Sequence, residues 1–423
     1  MSVESIAAAA RRPQARPAAT RSMLMNRYKR GPAAGFVLGC LVVHAFSHLV
    51  AQQPPAAIPS MAGKAMTVTG PVSPEDLGWT IMHEHIFINF QRPASLTGVR
   101  RGQHRDITAA TDMGLFLQPV SLQSLSAVRN GVAPNRDNLY LTDIGEAIQE
   151  VSHFKRLGGN SIVDVTSIGL GRDPNALVQV AHATGLHIIM GAGYYQKQFH
   201  PVDMGSRSVE DLTDVIVRDV TVGADGTSIR SGVIGEVGVD GNPLTSDEIK
   251  SVRAAGRASR ATGAAISFHF GGYMEEKFKV IDMLAAEGAD LKRVVMGHSN
   301  SIADDLPFMK RLLARGVYIQ FDTLGRMGSR LGTVDDGKVA VGIAALAKAG
   351  FADRILLSQD VCHKIELKKY GGTGYSYVME FVIPALKRLG VTEEQIRQMM
   401  VENPKRVLTF AAPMPGLTPA SAR

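Results

Sequence analysis

From about Val68 the chain alternates short apolar, β-branched runs with longer amphipathic segments. The runs cover residues 79–88, 161–167, 187–193, 232–238, 265–270, 293–299, 317–323 and 354–360. Most have continuous apolar interiors, such as Ile188-Ile189-Met190 and Ile355-Leu356-Leu357. Parallel strands covered on both faces read this way. Between them, helical patterns occupy 143–157, 174–184, 246–262, 275–287, 302–315 and 339–348. Asp173 ahead of Pro174 is a helix start, and Gly158, Gly185, Gly263 and Gly316 fall where helices stop. Eight strands alternating with helices predict an α/β fold, a (β/α)8 TIM barrel. A doubly wound sheet is the runner-up, but no G-x-G-x-x-G opens a helix after the first strand. Residues 92–140 lack clear periodicity and read as a long insertion after that strand, of a size often used as a lid.

Composition changes this picture in one place, the N-terminus. The net charge of +7 looks at first like a nucleic-acid signal. Of the 46 basic and 39 acidic residues, however, residues 1–60 hold seven basic ones and only Glu4 among the acids. The rest is close to neutral, so nucleic acid is not an expected partner. Arg27, Lys29 and Arg30 precede an uncharged run from Gly31 to Ala51, the layout of a secretory signal peptide. Residues 1–51 are therefore expected to be a leader cleaved near Gln52 or an N-terminal anchor, with 52–66 a linker, 67–411 the barrel and 412–423 a tail. A periplasmic or secreted location follows, with a membrane-anchored or cytoplasmic chain as the alternatives. The two cysteines are Cys40 and Cys362, so a mature chain with one thiol has no internal disulfide and no thiolate zinc site.

In a barrel the C-terminal ends of the strands carry the chemistry. The first strand has His83-Glu84-His85, whose alternation puts both imidazoles on one face and Glu84 on the other. The fourth ends in Glu236, the fifth in His269, the sixth in His298 and the eighth in Asp360. A lone strand histidine is usually a satisfied core residue, and a single His-x-His pair arises by chance. Glu236 inside an apolar run is harder to dismiss, because an ionised carboxylate there is costly unless paired or metal-bound. Six such residues at the ends of five strands point to a metal centre. Nitrogen and oxygen donors without thiolate favour zinc, with manganese, cobalt or iron as alternatives. The remaining eight histidines show no such pattern, and His363, close after Asp360, reads as a loop residue at the surface, with a place behind the metal ligands as the alternative.

The same residues resemble the phosphotriesterase-related family of the amidohydrolase superfamily. The resemblance rests on Met82-His83-Glu84-His85, Val163-Asp164-Val165-Thr166, Ile234-Gly235-Glu236-Val237-Gly238, Ser267-Phe268-His269, Met296-Gly297-His298-Ser299, Leu357-Ser358-Gln359-Asp360 and Glu402-Asn403-Pro404-Lys405. It runs from about Thr67 to Leu408. It implies a site for two divalent ions, with His83, His85 and Asp360 on the buried one and His269 and His298 on the more exposed one. Glu236 stands where the best-known members bridge with a carboxylated lysine, so the chain is similar to a glutamate-bridged branch. The family implies a metal-dependent hydrolase in which a metal-bridging hydroxide attacks a carbonyl (lactone, ester or N-acyl amide) or a phosphoryl centre, and Asp360 moves the proton. A true phosphotriesterase, an isomerase or lyase and an inactive binding barrel are the alternatives. Tyr195 resembles an aromatic position of the leaving-group pocket. Arg326, after the seventh strand, is a candidate for an anionic substrate group or an exposed loop residue. Arg172 reads as structural, beside a helix cap. The absence of a G-x-S-x-G elbow argues against a serine hydrolase. The expected partners are a small-molecule substrate and a second copy in a homodimer.

Overall fold

The computed structural model describes residues 60–90, 98–100, 103–105, 110–131, 135–270, 275–326 and 335–414. The leader and most of the expected linker and tail lie outside them. The eight apolar runs form strands β1 (Thr80–Glu84), β2 (Ser161–Asp164), β3 (His187–Ala192), β4 (Val233–Val239), β5 (Ile266–Phe270), β6 (Val294–Met296), β7 (Tyr318–Phe321) and β8 (Ile355–Leu357). They hydrogen-bond in chain order, each neighbouring pair parallel. The circle closes just beyond β8, where the His85 N–H donates to the Val361 carbonyl (3.2 Å) and the Asp360 N–H to the His83 carbonyl (3.1 Å). This is a (β/α)8 barrel, as the alternation predicts.

Period-two geometry sorts the apolar side chains into two layers. Ile162, Ile188, Ile234, Ile266, Val294, Ile319 and Ile355 face the helices. Val163, Ile189, Val233, Ala265, Val295, Tyr318 and Leu356 fill the barrel interior. The hairpin Ala65–Thr67 with Gly70–Val72 adds Ala65 to that inner cluster. Met61, Ala65 and Met66 are buried, so the expected linker already belongs to the packed body before residue 66.

The covering helices are α1 (Ile144–Arg156), α2 (Pro174–Thr184), α3 (Val209–Thr221), α4 (Ser246–Thr262), α5 (Glu276–Ala286), α6 (Leu306–Leu313) and α7 (Asp336–Leu346). Asp143 caps α1 by accepting from the Glu146 N–H (2.8 Å), and Asp173 caps α2 from that of Ala176 (3.0 Å). Such caps are each worth about 1 kcal/mol. The pattern over 302–315 is not one helix, because Asp305 caps a fresh start at α6 and Pro307 sits in its first turn. In the insertion the described residues hold the antiparallel pair Gly98–Arg100 and Gln103–Arg105 and the short helices Ala110–Leu117 and Leu122–Arg129. Residues 91–97, 101–102, 106–109 and 132–134 of the expected lid lie outside the described set. No helix among the described residues is long and apolar enough to cross a membrane.

Candidate metal centre

The strand tips place the polar residues through local backbone irregularities. The register of β4 against β5 shifts between Ile234 and Val237, a bulge of the kind that re-aims a side chain. Gly235 has a φ of 150°, and a Cβ there would lie 2.4 Å from the Ser267 carbonyl oxygen. Only glycine fits so close an approach. The next residue, Glu236, enters the barrel interior with 1% exposure.

Four histidines and a second carboxylate surround it. His83 brings Nε2 to 3.1 Å from Glu236 Oε2, and His85 brings Nε2 to 3.2 Å from Oε1. Asp360 Oδ1 lies 3.4 Å from His85 Nε2 and 4.0 Å from His83 Nε2. On the outer side His269 Nδ1 is 3.0 Å from Glu236 Oε2 and 2.7 Å from His298 Nε2. Within each of two sets, His83–His85–Asp360 and Glu236–His269–His298, one donor atom per residue lies within 4.8 Å of the others. His298 and Asp360 both have positive φ, 52° and 54°. That conformation costs a non-glycine residue on the order of 1–2 kcal/mol, and it concentrates at functional sites.

Glu84 points the opposite way, as the alternation requires. Its Oε1 accepts from Ser358 Oγ (2.6 Å) and the Gln359 N–H (2.8 Å), and its Oε2 from the Val361 N–H (2.9 Å). The loop carrying Asp360 is thereby clamped to β1. Burial pushes the Glu84 carboxyl up to about 7, against the pull of these donors.

Charge within the site is strongly coupled. Burial disfavours charge on His83, but Asp322 and Glu236 outweigh it and raise the imidazole to about 9. Burial acts the same way on His85, and Asp360 and Glu236 raise it to about 10. Burial would raise the Asp360 carboxyl, yet the Arg326 guanidinium beside it holds it far below the usual range. Both ring nitrogens of His83 are fully buried and make no hydrogen bond of good geometry, although Nε2 faces Glu236 and Nδ1 faces Asp322. Lone-pair donors converging on one another in a dry interior, two of them nitrogens 2.7 Å apart, fit divalent cations as the missing partner.

Neither Asp322 nor Thr166 is given a role by the sequence pattern. Asp322, after β7, is wholly buried between His83 Nδ1 (3.2 Å) and His298 Nδ1 (2.8 Å). Its signal, an acid at the end of an apolar strand, is the one that revealed Glu236. Thr166 donates to the Phe87 carbonyl (3.0 Å), so its oxygen is left to accept from His85 Nδ1 (2.9 Å). That fixes the His85 lone pair on Nε2, facing the carboxylates.

Tyr195 stands edge-on to His269, ring centroids 4.8 Å apart, with its hydroxyl 3.2 Å from Nδ1. Arg326 is not exposed. It is buried and donates to the Asp360 carboxylate and, at 2.7 Å, to the Asp360 carbonyl. His363, expected at the surface, stacks on Phe90 (5.3 Å) and touches Cys362 Sγ (3.2 Å), which leaves only 12% of its side chain exposed. Arg172 is structural as expected, paired with Asp219 (2.9 Å) and Asp225 (2.8 Å).

Known proteins resemble this chain in sequence and fold. The chain is 35% identical over 364 residues to an N-acetyltaurine hydrolase of Dictyostelium discoideum, covering 82% of this chain and 98% of that one. Its fold superposes on a resiniferatoxin-binding protein from Rhodobacter sphaeroides with a TM-score of 0.74 and 37% identity, covering 82% and 95% of the two chains. The phosphotriesterase homology protein of Escherichia coli gives a TM-score of 0.64 at 27% identity, covering 79% and 99%. The family described as the phosphotriesterase family matches residues 63–408, the whole barrel and every residue of both donor sets, and the chain belongs to it.

Proposed function

We propose that this hydrolase opens the amide bond of a small N-acyl substrate whose amine half carries an anionic group. The observation that carries the reading is the pair of donor sets sharing one interior, His83, His85 and Asp360 beside Glu236, His269 and His298. In this reading they would hold two divalent ions, zinc first, and Glu236 is the residue both sets would share. Ions bound there would lower the pKa of a shared water towards neutrality and polarise the scissile carbonyl.

The side chains do the rest. Asp360, kept ionised by Arg326, accepts the proton of the attacking water and returns it to the departing amine nitrogen. Phe90, Tyr195 and Phe199 pack together beside His269 and keep water from that flank. Arg326 Nη1 is buried without a hydrogen-bond partner, which suits it to an anionic substrate group. The N-acetyltaurine hydrolase relative supports an N-acyl amide with an acidic amine half over a lactone or ester. Glutamate in place of a carboxylated lysine weighs against efficient phosphotriester hydrolysis. Export, with a mature start near Gln52, stays part of the proposal, and N-terminal sequencing of the native protein reads it directly. A start at Met1 or Met25 would refute it.

The test compares kcat/KM for the zinc-loaded enzyme across N-acetyltaurine, its uncharged N-acetylpropylamine analogue, lactones, carboxylic esters and phosphotriesters. The expected order puts the anionic amide at least about tenfold ahead of each, about 1.4 kcal/mol of transition-state binding. A phosphotriester or lactone preferred by that margin would reverse the proposal.

A further inference from the structure

One carboxylate reaches both donor sets from behind. Asp322 does not lie among the Nε2 atoms that face Glu236. It faces the far side of two rings, hydrogen-bonded through Oδ1 to His298 Nδ1 (2.8 Å) and, through Oδ2, set 3.2 Å from His83 Nδ1, which has no other partner among the described residues. The His298 backbone N–H donates to both carboxylate oxygens at 3.0 Å. The Asp322 and Thr323 N–H groups donate to Asn300 Oδ1 at 3.0 and 3.2 Å, which pins the turn that carries the carboxylate. Lys277 of α5 is buried over the Phe270 ring at 4.0 Å, within electrostatic reach of Asp322.

An imidazole whose Nδ1–H is gripped by a carboxylate keeps its lone pair on Nε2, the atom that ligates. His83 belongs to the inner set and His298 to the outer. We infer that Asp322 is a positioning residue that ties the two halves of the centre into one unit. It fixes the ligating tautomer of one histidine in each set, so that two ions are gained and lost together. The coupling has a direct physical source. A ligated ring is a stronger Nδ1–H donor, so occupying one half tightens its hold on Asp322 and steadies the carboxylate for the other ring. The effect is reciprocal by necessity. This inference rests on the two-ion reading above.

Zinc-buffered titration of the metal-stripped full chain, followed by elemental analysis, tests both at separate points. The wild type is expected to take up two zinc ions with a Hill coefficient above about 1.5. Asp322→Asn keeps the shape but offers only one acceptor oxygen, and its NH2 faces the second ring as a donor. It should weaken both ions by at least about tenfold and bring the Hill coefficient close to 1. A variant that keeps both ions within about twofold of wild type, or loses one while the other is unchanged, overturns the coupling and leaves the two-ion site intact. A wild type that binds no zinc overturns both. If Asp322→Asn does not fold, imidazole nitrogen-15 NMR of the zinc-loaded wild type decides. His83 and His298 are both expected as Nδ1–H tautomers, and an Nε2–H form at either refutes the inference.

Discussion

The inner and outer halves of the centre use the same side-chain types in different surroundings. His83 and His85 are essentially sealed, at 0% and 1% exposure, and their Nδ1 atoms face Asp322 and Thr166. His269 and His298 keep 12% and 11% of their side chains exposed, and His269 rests against Tyr195 and Gln196 at the barrel rim. The inner half is therefore set by the closure of the barrel itself, through the Glu84 clamp that seats the loop carrying Asp360. The outer half depends on loops at the mouth. A difference in burial of this kind divides labour, since a dry, fully oriented set favours tight ligation and an accessible one favours substrate approach.

Glu236 is the residue on which both halves lean, so its loss has the largest expected effect. Glu236→Gln should lose at least one ion and nearly all turnover while far-UV circular dichroism shows the barrel intact. Activity within a few-fold of wild type would show that another group joins the halves. Because Glu236, not a lysine carbamate, is proposed to join the halves, bicarbonate added during metal reconstitution should change nothing.

Breaking one half at a time comes next. His85→Asn should abolish activity at every zinc concentration, because Nε2 of that ring stands between both carboxylates. His269→Asn should weaken the outer ion most and the inner one with it, with partial recovery in excess zinc. Equal responses in zinc titrations of activity would contradict the division.

The smallest effect concerns the support behind the centre. Burial pushes the Lys277 ammonium down from 10.5 to about 7, against the attraction of Asp322. Between those two values the unfolded chain binds the proton more tightly, so this group makes stability rise with pH from about 7 to 10.5. Below pH 7 the folded protein carries the full cost of a buried charge. Lys277→Met should raise Tm most at pH 6, and the gain should shrink towards pH 10. A gain independent of pH would mean that packing, not charge, sets the effect.

The legibility of each part in the sequence follows from its physics. The strands could be read because parallel barrel strands are covered on both faces, which leaves runs such as Ile188-Ile189-Met190 without polar interruption. The donor residues stood out because a histidine or acid interrupting such a run is costly without a partner. Asp322 carries that signal too, but it adjoins Thr323 at the edge of its run and reads as the start of a loop. Thr166 carries none, since threonine is common in strands and its role appears only with the Phe87 carbonyl beside it. The exposed-loop alternative for Arg326 and the surface reading of His363 fail for a related reason. Their burial comes from Asp360 and Phe90, partners distant in the chain that local pattern does not encode. Helix α3 announces itself mainly by the Ser208–Asp211 capping box, a signal weaker than its apolar face once folded.

The central claim is that six side chains hold two ions with Glu236 between them. Anomalous diffraction at the zinc edge from crystals of the reloaded full chain tests it most directly. The account predicts two peaks, one about 2.0–2.2 Å from ligand atoms of His83, His85 and Asp360 and one at that distance from His269 and His298, both touching Glu236. A single peak, or a pair that leaves Glu236 unligated, would contradict it.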